Sequence, residues 1–371
     1  MSRHFNRYVT VYRASLGDFE EKVEALLAQV DASETPLRLT FFGSPASNAI
    51  YEERWTLLRQ RVARRWKNRM PALSYVAQPA LDAPLVMELY GYHPGDGDRL
   101  LYGQAADTSY VLLCNAMGRF LFAGGFRGDS TSLPIEQQAE RAFQRLEMVL
   151  RQTGFTLNHI QRQWNYIERI TAFDGVDQHY QAFNNVRSAH YAKADWPAGY
   201  PAATGIGSHL GGILIDIDAA QFTDPEVRAL PIDNRLQVAA HAYSEGVLEQ
   251  AQRQKSTPKF ERARALVYGG ERLIYISGTA AIRGEESLAG VGLARQLRVT
   301  MENIAELTGS ASLVYLRVYL KHPADYAEAS HLLEAYGLGI PIAFMWADVC
   351  RNELLIEIEG LASGMDNPLN E

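Results

Sequence analysis

The chain has 371 residues, 47% of them hydrophobic and 21% charged, with a formal net charge of -7, values of an ordinary globular protein able to bury a large core. That acidic balance supplies no general basic field, which argues against nucleic acid or an anionic membrane surface as a partner. The two cysteines, Cys114 and Cys350, form no disulfide framework and no metal-ligand spacing; with no apolar signal core and no run of about 18 apolar residues, a cytoplasmic protein is expected.

In chain order, FEEKVEALLAQV (19–30) and NAIYEERWTLLRQRVARRW (48–66) predict helices on either side of a strand, LRLTFFGSP (37–45), and MPALSYVAQPALDAPLVMELYGY (70–92) closes with two more strands. A second pass of the same plan follows: RFLFAGGFRGD, the helix AERAFQRLEMVLRQTG (139–154), the strand NHIQRQWNYIERI, the helix HYQAFNNVRSAHY, and two strands in YPAATGIGSHLGGILIDIDA. A third runs through ERLIYISGTAAIRGE, ARQLRVTMENIAELTG (294–309), SLVYLRVYLKHP, DYAEASHLLEAYG and IPIAFMWADVCRNELLIEIEG. The two long helices align without a gap, Ala139 with Ala294, Leu146 with Met301 and Val149 with Ile304, and both are amphipathic and closed by glycine. Such internal similarity is the signature of a repeat. The expected organisation is a degenerate unit at 1–97, a second at 98–220, a helical bridge at 221–256 and a third unit at 257–371. In each copy a proline precedes a last strand carrying an acid: Pro71 and Glu88, Pro201 and Asp216, Pro341 and Glu357.

The final strand, LLIEIEG, puts Ile356 and Ile358 on one face and Leu355, Glu357 and Glu359 on the other. Alternation alone leaves two readings open: a solvated strand face, or a carboxyl held in a cleft as a proton donor or acceptor. Glycines in YPAATGIG permit either a tight connection or a close backbone approach in which N–H groups bind an anion. Asn184 and Asn185 read as cap or turn residues, and Cys114 as core. His179, His190, His209 and His241 are scattered singly, so no metal site is expected.

The third copy resembles the RidA/YjgF family, trimers with a ligand cleft at each subunit interface. The implied fold class is α/β (α+β), three RidA/YjgF-like or chorismate-mutase-like units forming a pseudo-trimer in one chain, hence a monomer. The arginine of that family's P-A-R-S motif has no counterpart in PALS, PAAT or PIAF, so imine deamination is not implied. Over most of its length the chain resembles more closely the chorismatases, through YPAATGIG (200–207), KFERAR (259–264), ISGTAAI and ADVCRNELLIEIEG (347–360). This resemblance implies chorismate as substrate, no metal or organic cofactor, and cleavage to pyruvate and 3-hydroxybenzoate, with or without 4-hydroxybenzoate. It implies Glu357 as the acid that protonates the enolpyruvyl methylene, and Cys350 and Ala263 as positions that separate product types. Candidates to hold the substrate are Arg187, Tyr200, Thr204, Gly205, Gly207, Lys259, Arg264, Gly278, Thr279 and Arg351. The competing readings are hydrolysis of chorismate to pyruvate and a dihydroxycyclohexadiene carboxylate, and a noncatalytic RidA-like metabolite binder.

Overall fold

A computed structural model describes residues 5–105, 107–242 and 256–366. The first unit runs β1 (Arg7–Ala14), α1 (Phe19–Gln29), β2 (Thr35–Gly43), α2 (Asn48–Trp66), β3 (Ala72–Val76) and β4 (Leu85–Tyr92). The second adds a leading pair of strands: β5 (Arg99–Ala105), β6 (Thr108–Asn115), β7 (Gly118–Arg127), α3 (Ile135–Thr153), β8 (Ile160–Glu168), a short ribbon of β9 (Phe173–Asp174) and β10 (Asp177–Gln178), α4 (His179–Tyr191), β11 (Ala202–Ser208) and β12 (Ile213–Phe222). The third comprises β13 (Arg228–Ile232), β14 (Ala263–Tyr268), β15 (Glu271–Ala280), a ribbon of β16 (Ile282–Arg283) and β17 (Glu286–Ser287), α5 (Leu293–Thr308), β18 (Ser312–Leu320), α6 (Tyr326–Glu334), β19 (Ile342–Trp346) and β20 (Ile356–Met365).

The sheet orders reveal one design used three times. The first sheet is β1-β4-β2-β3; within the second, β7-β12-β8-β11 repeats that permutation, and within the third so does β15-β20-β18-β19. In each, a parallel pair such as β2 and β3 is joined through a helix, while the last strand inserts antiparallel between the first two. Each helix pair covers one face of its sheet because its apolar residues recur every three to four positions. On α3 these are Ala139, Ala142, Phe143, Leu146 and Val149, all buried, and the helix stops at Gly154, whose φ of 75° is a left-handed cap. Ala294, by contrast, is exposed, so the gapless alignment of α3 with α5 holds for their later turns and not their first.

The opposite faces of the three sheets pack on one another. Isolated bridges tie them together: Ala77 with Leu210 joins the first unit to the second, Ala80 with Met345 the first to the third, and Ala202 with Glu261 the second to the third. The segment expected to be a helical bridge is, from Arg228 to Ile232, a strand paired with β14, because Ala229, Leu230 and Ile232 lie half-buried against the third sheet. The extra helix expected there falls largely at 243–255, outside the described residues. Cys114, expected in the core, is half-buried on β6.

Candidate active site

Register places the three acids of the last strands in equivalent rows. Thr40 of β2 faces Glu88 and Ser74; Trp164 of β8 faces Asp216 and Thr204; Tyr319 of β18 faces Glu357 and Met345. The adjoining rows carry an arginine each: Arg38 opposite Ala72 and Tyr90, Arg162 opposite Ala202 and Asp218, Arg317 opposite Ala343 and Glu359. Pro341 therefore stands one residue out of line with Pro71 and Pro201, although the acids coincide.

Two of the three acids are fully engaged. Glu88 receives Tyr315 and the guanidinium of Arg317, with Arg317 Nε at 2.8 Å from Oε1. Asp216 Oδ1 accepts from Ser74 Oγ at 2.6 Å and from the Gly125 amide at 2.9 Å. At Glu357 the residue in the place of Ser74 is Thr204, and its hydroxyl is taken by Glu359, by Arg162 Nη2 at 2.6 Å and by the Gly278 amide at 3.0 Å. Glu357 faces a cavity instead. Burial, reinforced by the neighbouring Glu359 charge, pushes its carboxyl up from 4.5 to about 8 against the pull of Arg162 and Arg262. The strand Glu pair thus divides: Glu359 accepts from Arg162, Arg317 and Trp164 Nε1 at 2.6, 2.6 and 3.0 Å and is a structural anion, while Glu357 is a proton store.

The cavity lies between the second and third units, about 780 Å³ counting its mouth, within the range of small-molecule sites. Glu357, Gly278 and Ala280 form its floor; Ala203 and Gly205 of β11 and Tyr180, Gln181 and Asn184 of α4 face them; Phe260, Arg262, Cys350, Arg351 and Leu354 are among the other residues that line it. A bulge between Ile276 and Thr279 lifts Gly278 out of the ladder with β20, and a Cβ built on Gly278 would overlap Glu357 Oε1. Glycine is needed there to leave room for the acid. Gly205 serves the same purpose for Tyr180, whose Cε2 would be 2.9 Å from a Cβ.

Positive charge reaches the site from α4. Arg187 is 2% exposed, donates to Asn184 Oδ1 at 2.6 Å, and has a buried Nε with no hydrogen-bond partner. Among the described residues no carboxylate lies within ion-pair reach of it. Burial lowers its pKa, and a guanidinium kept in this state is poised for an incoming anion. Arg351 Nη1 donates to Glu285 O at 2.9 Å and Ser287 Oγ at 3.0 Å at the cavity edge. Burial first, and Glu357 second, push the Cys350 thiol up to about 12, so it is a neutral wall and not a nucleophile. Among the described residues no group of His, Cys, Asp and Glu could hold a metal ion.

Of the residues singled out from sequence, Glu357, Cys350, Gly205, Gly278 and Arg351 line the cavity, and Arg187 adjoins it through Asn184. The others do not line it. Ala263 packs in the helix-facing core of the third unit, since alternation along β14 turns it away from Arg262. Thr204 is committed to the Glu359 network, and Thr279 donates to Ser277 O at 2.8 Å on the far face of β15. Gly207 accommodates the Asp348 carbonyl. Arg264 spends its guanidinium on Gln161 Oε1 at 2.5 Å and the carbonyls of Ala198, Gly199 and Tyr200, shaping the loop before β11; burial brings it down to about 10. Tyr200 stacks on Tyr191, and Lys259 Nζ donates to Thr257 Oγ1 at 3.0 Å and stands 5.9 Å over the Tyr200 ring.

Sequence reasoning missed Arg262, Tyr180 and Gln181, and took Asn184 for a cap. Tyr180, Asn184, Arg187 and Tyr191 recur at helical spacing in HYQAFNNVRSAHY, one polar face on a helix whose Phe183 and Val186 face α3; that face was the available signal.

The three interlocked sheets have the fold of a solved chorismatase. The crystal structure of a chorismatase superposes with a TM-score of 0.71 at 20% identity, covering 96% of this chain and 98% of that one, a likeness of fold. Residues 107–218 match the family model for the N-terminal part of FkbO/Hyg5-like chorismatases. A chorismatase of Streptomyces rapamycinicus is 29% identical over 221 residues, 54% of this chain and 63% of that protein. A 3-hydroxybenzoate synthase of Streptomyces hygroscopicus is 29% identical over 231 residues, 56% of this chain and 64% of its own. The chain therefore spans less than two thirds of the length of these curated relatives, to which it is similar.

Proposed function

We propose that this protein is a chorismatase that converts chorismate into pyruvate and 3-hydroxybenzoate, alone or together with 4-hydroxybenzoate. The observation that carries this reading is a buried carboxyl held near pH 8, Glu357, on the floor of a cavity beside an arginine, Arg187, that meets no carboxylate among the described residues. At pH 7 such a carboxyl is about 90% protonated, which suits the slow transfer of a proton to carbon.

Glu357 delivers its proton to the terminal methylene of the enolpyruvyl ether, and the ether carbon becomes oxocarbenium-like. The bond from ring carbon to ether oxygen breaks with its electron pair passing to that oxygen, and pyruvate leaves. The ring hydroxyl oxygen closes on the vacated carbon and returns its proton to Glu357; the resulting arene oxide isomerises to hydroxybenzoate. Atoms balance without consuming water. Arg187 and Arg262 receive the substrate carboxylates, and Phe260, Cys350, Ala280 and Leu354 give the wall that keeps water from competing for the ring carbon. Within this reading the chain is a cytoplasmic monomer, since its three units cover one another's inner faces; sedimentation as a trimer would contradict that part. No helix among the described residues is long and apolar enough to cross a membrane.

The test is incubation of the purified protein with chorismate, with chromatography of the ring products beside a pyruvate assay. Pyruvate with 3-hydroxybenzoate supports the proposal. Pyruvate with a dihydrodiol would mean hydrolysis, and no pyruvate would leave a metabolite-binding protein.

A further inference from the structure

We propose that Gln163 and Asn165, two buried amides on β8, are positioning residues of the site: they form a one-way hydrogen-bond relay that sets Arg187 to receive a substrate carboxylate. The inference rests on the role given to Arg187 above and adds the groups that act through it.

The repeat supplies the comparison. Next to the row of arginines, on the helix-facing side of the same strand, the first unit has Leu39 and Phe41 and the third has Val318 and Leu320; register puts Gln163 and Asn165 in those places in the second. Every one of these side chains is 0% exposed, and the apolar ones belong to the helix-facing cores of their own units. A buried amide gives up hydration that a leucine never had, so it needs its hydrogen bonds made inside the protein. The unit that carries the amides is the one whose helix, α4, brings Asn184 and Arg187 to the Glu357 cavity.

The relay has a fixed direction. The Thr204 carbonyl on β11 can only accept, so Asn165 turns Nδ2 to it, at 3.0 Å. Asn165 Oδ1 then accepts from Gln163 Nε2 at 2.6 Å, which leaves Gln163 Oε1 to accept from Tyr191 OH at 2.7 Å. With its proton committed to Gln163, Tyr191 has only oxygen lone pairs left for Arg187, which precedes it by one turn of α4 and lies within electrostatic reach of the Tyr180 and Tyr191 hydroxyls. A neutral oxygen orients a guanidinium without cancelling its charge, as a buried carboxylate would. The same chain of bonds ties α4 to β11, the two elements of the second unit whose Asn184 and Gly205 line the cavity opposite Glu357.

The experiment uses the full-length protein. Gln163→Val with Asn165→Leu gives the second unit the third unit's own residues, and Tyr191→Phe removes the hydroxyl they would strand; taking out the partners together avoids leaving a buried donor unmet. The expected triple variant melts close to the wild type, has a KM for chorismate raised about tenfold with kcat within about twofold, and adds nothing to the KM of Arg187→Met when the two are combined. Calorimetric titration with 3-hydroxybenzoate and with pyruvate needs no turnover: the Kd of at least one should rise by a similar factor, and not in the Arg187→Met background. If the wild type releases no pyruvate from chorismate, the functional reading fails and the titration alone decides this inference; a wild type that binds neither carboxylate overturns both. An unchanged KM, an unchanged Kd for both carboxylates, or a loss that adds to that of Arg187→Met overturns the relay. Tyr191→Phe alone, which deletes one hydroxyl, is held to the same criteria should the triple variant not fold.

Discussion

Replacing Glu357 with glutamine tests the acid directly, because the amide keeps the shape and removes only the proton chemistry. The folded carboxyl holds its proton to about pH 8, against an ordinary value of 4.5, and at ~1.4 kcal/mol per pH unit the gap has a ceiling of roughly 5 kcal/mol. The sign follows from proton counting. Between about 4.5 and 8 the folded state binds more protons than the unfolded chain, so rising pH disfavours folding across that window, and the penalty is complete above it. Glu357→Gln lacks this penalty. Urea unfolding of both proteins from pH 5 to pH 8.5 should therefore show the variant gaining on the wild type by several kcal/mol. Its turnover of chorismate should meanwhile fall ~10²- to 10⁴-fold, the usual worth of a positioned acid, and wild-type activity should decline as pH passes about 8. A stability difference that stays constant with pH, or native turnover in the variant, refutes the reasoning.

Four other outcomes are expected. Gly278→Ala, whose Cβ overlaps Glu357 Oε1, should cost ~1–3 kcal/mol of stability but ~10²-fold in kcat by displacing the acid, as melting and steady-state kinetics would record. Arg187→Met should raise KM for chorismate roughly 10- to 150-fold, the loss of a charged hydrogen bond of about 1.5–3 kcal/mol, without lowering the Tm of the unliganded protein. Cys350, its thiol held near 12, has a thiolate fraction of ~10⁻⁵ at pH 7; mass spectrometry should find it unmodified after iodoacetamide treatment, with pyruvate release intact. Arg317→Met strands Glu88 and Glu359 without their shared partner, and should destabilise the protein by ~3–5 kcal/mol in urea.

Much of this architecture can be read along the chain because the signals are local. The amphipathic helices α3 and α5, the glycine that closes α3 and the proline-led final strands are patterns within some twenty residues, and three repetitions of their order imply three sheets. Glu357 stood out because an acid in a run of Leu and Ile contradicts its surroundings. What stayed hidden depends on how the units face one another. Arg38, Arg162 and Arg317 sit in the sequences LRLTFF, QRQWNY and YLRVYL, where an arginine in a strand reads as solvated edge. Only when the inner faces close do all three become buried. Similarly, the distinction between Arg262, in the cavity, and Arg264, holding a loop, rests on a bulge and a strand crossing that no spacing within FERAR specifies. Ala263, between them, does not line the cavity for the same reason.

The repeat also accounts for why the chemistry concentrates at one of three equivalent positions. Glu88, Asp216 and Glu357 occupy matching rows, yet they differ in the hydrogen-bond donors that meet them. In the first unit Arg317 and Tyr315 supply donors to Glu88; in the second, the shorter Asp216 stays within reach of Ser74 and the Gly125 amide. At the third position the available hydroxyl, Thr204, is diverted by Glu359, itself paired with Arg162 and Arg317. Glu359 thus acts twice on its neighbour, withdrawing a hydrogen-bond donor and adding a negative charge, and both effects raise the Glu357 pKa. Three identical subunits would have to repeat any such arrangement at every interface. A single chain can place two arginines around one glutamate and leave the other protonated, which is the asymmetry that a proton donor to carbon requires.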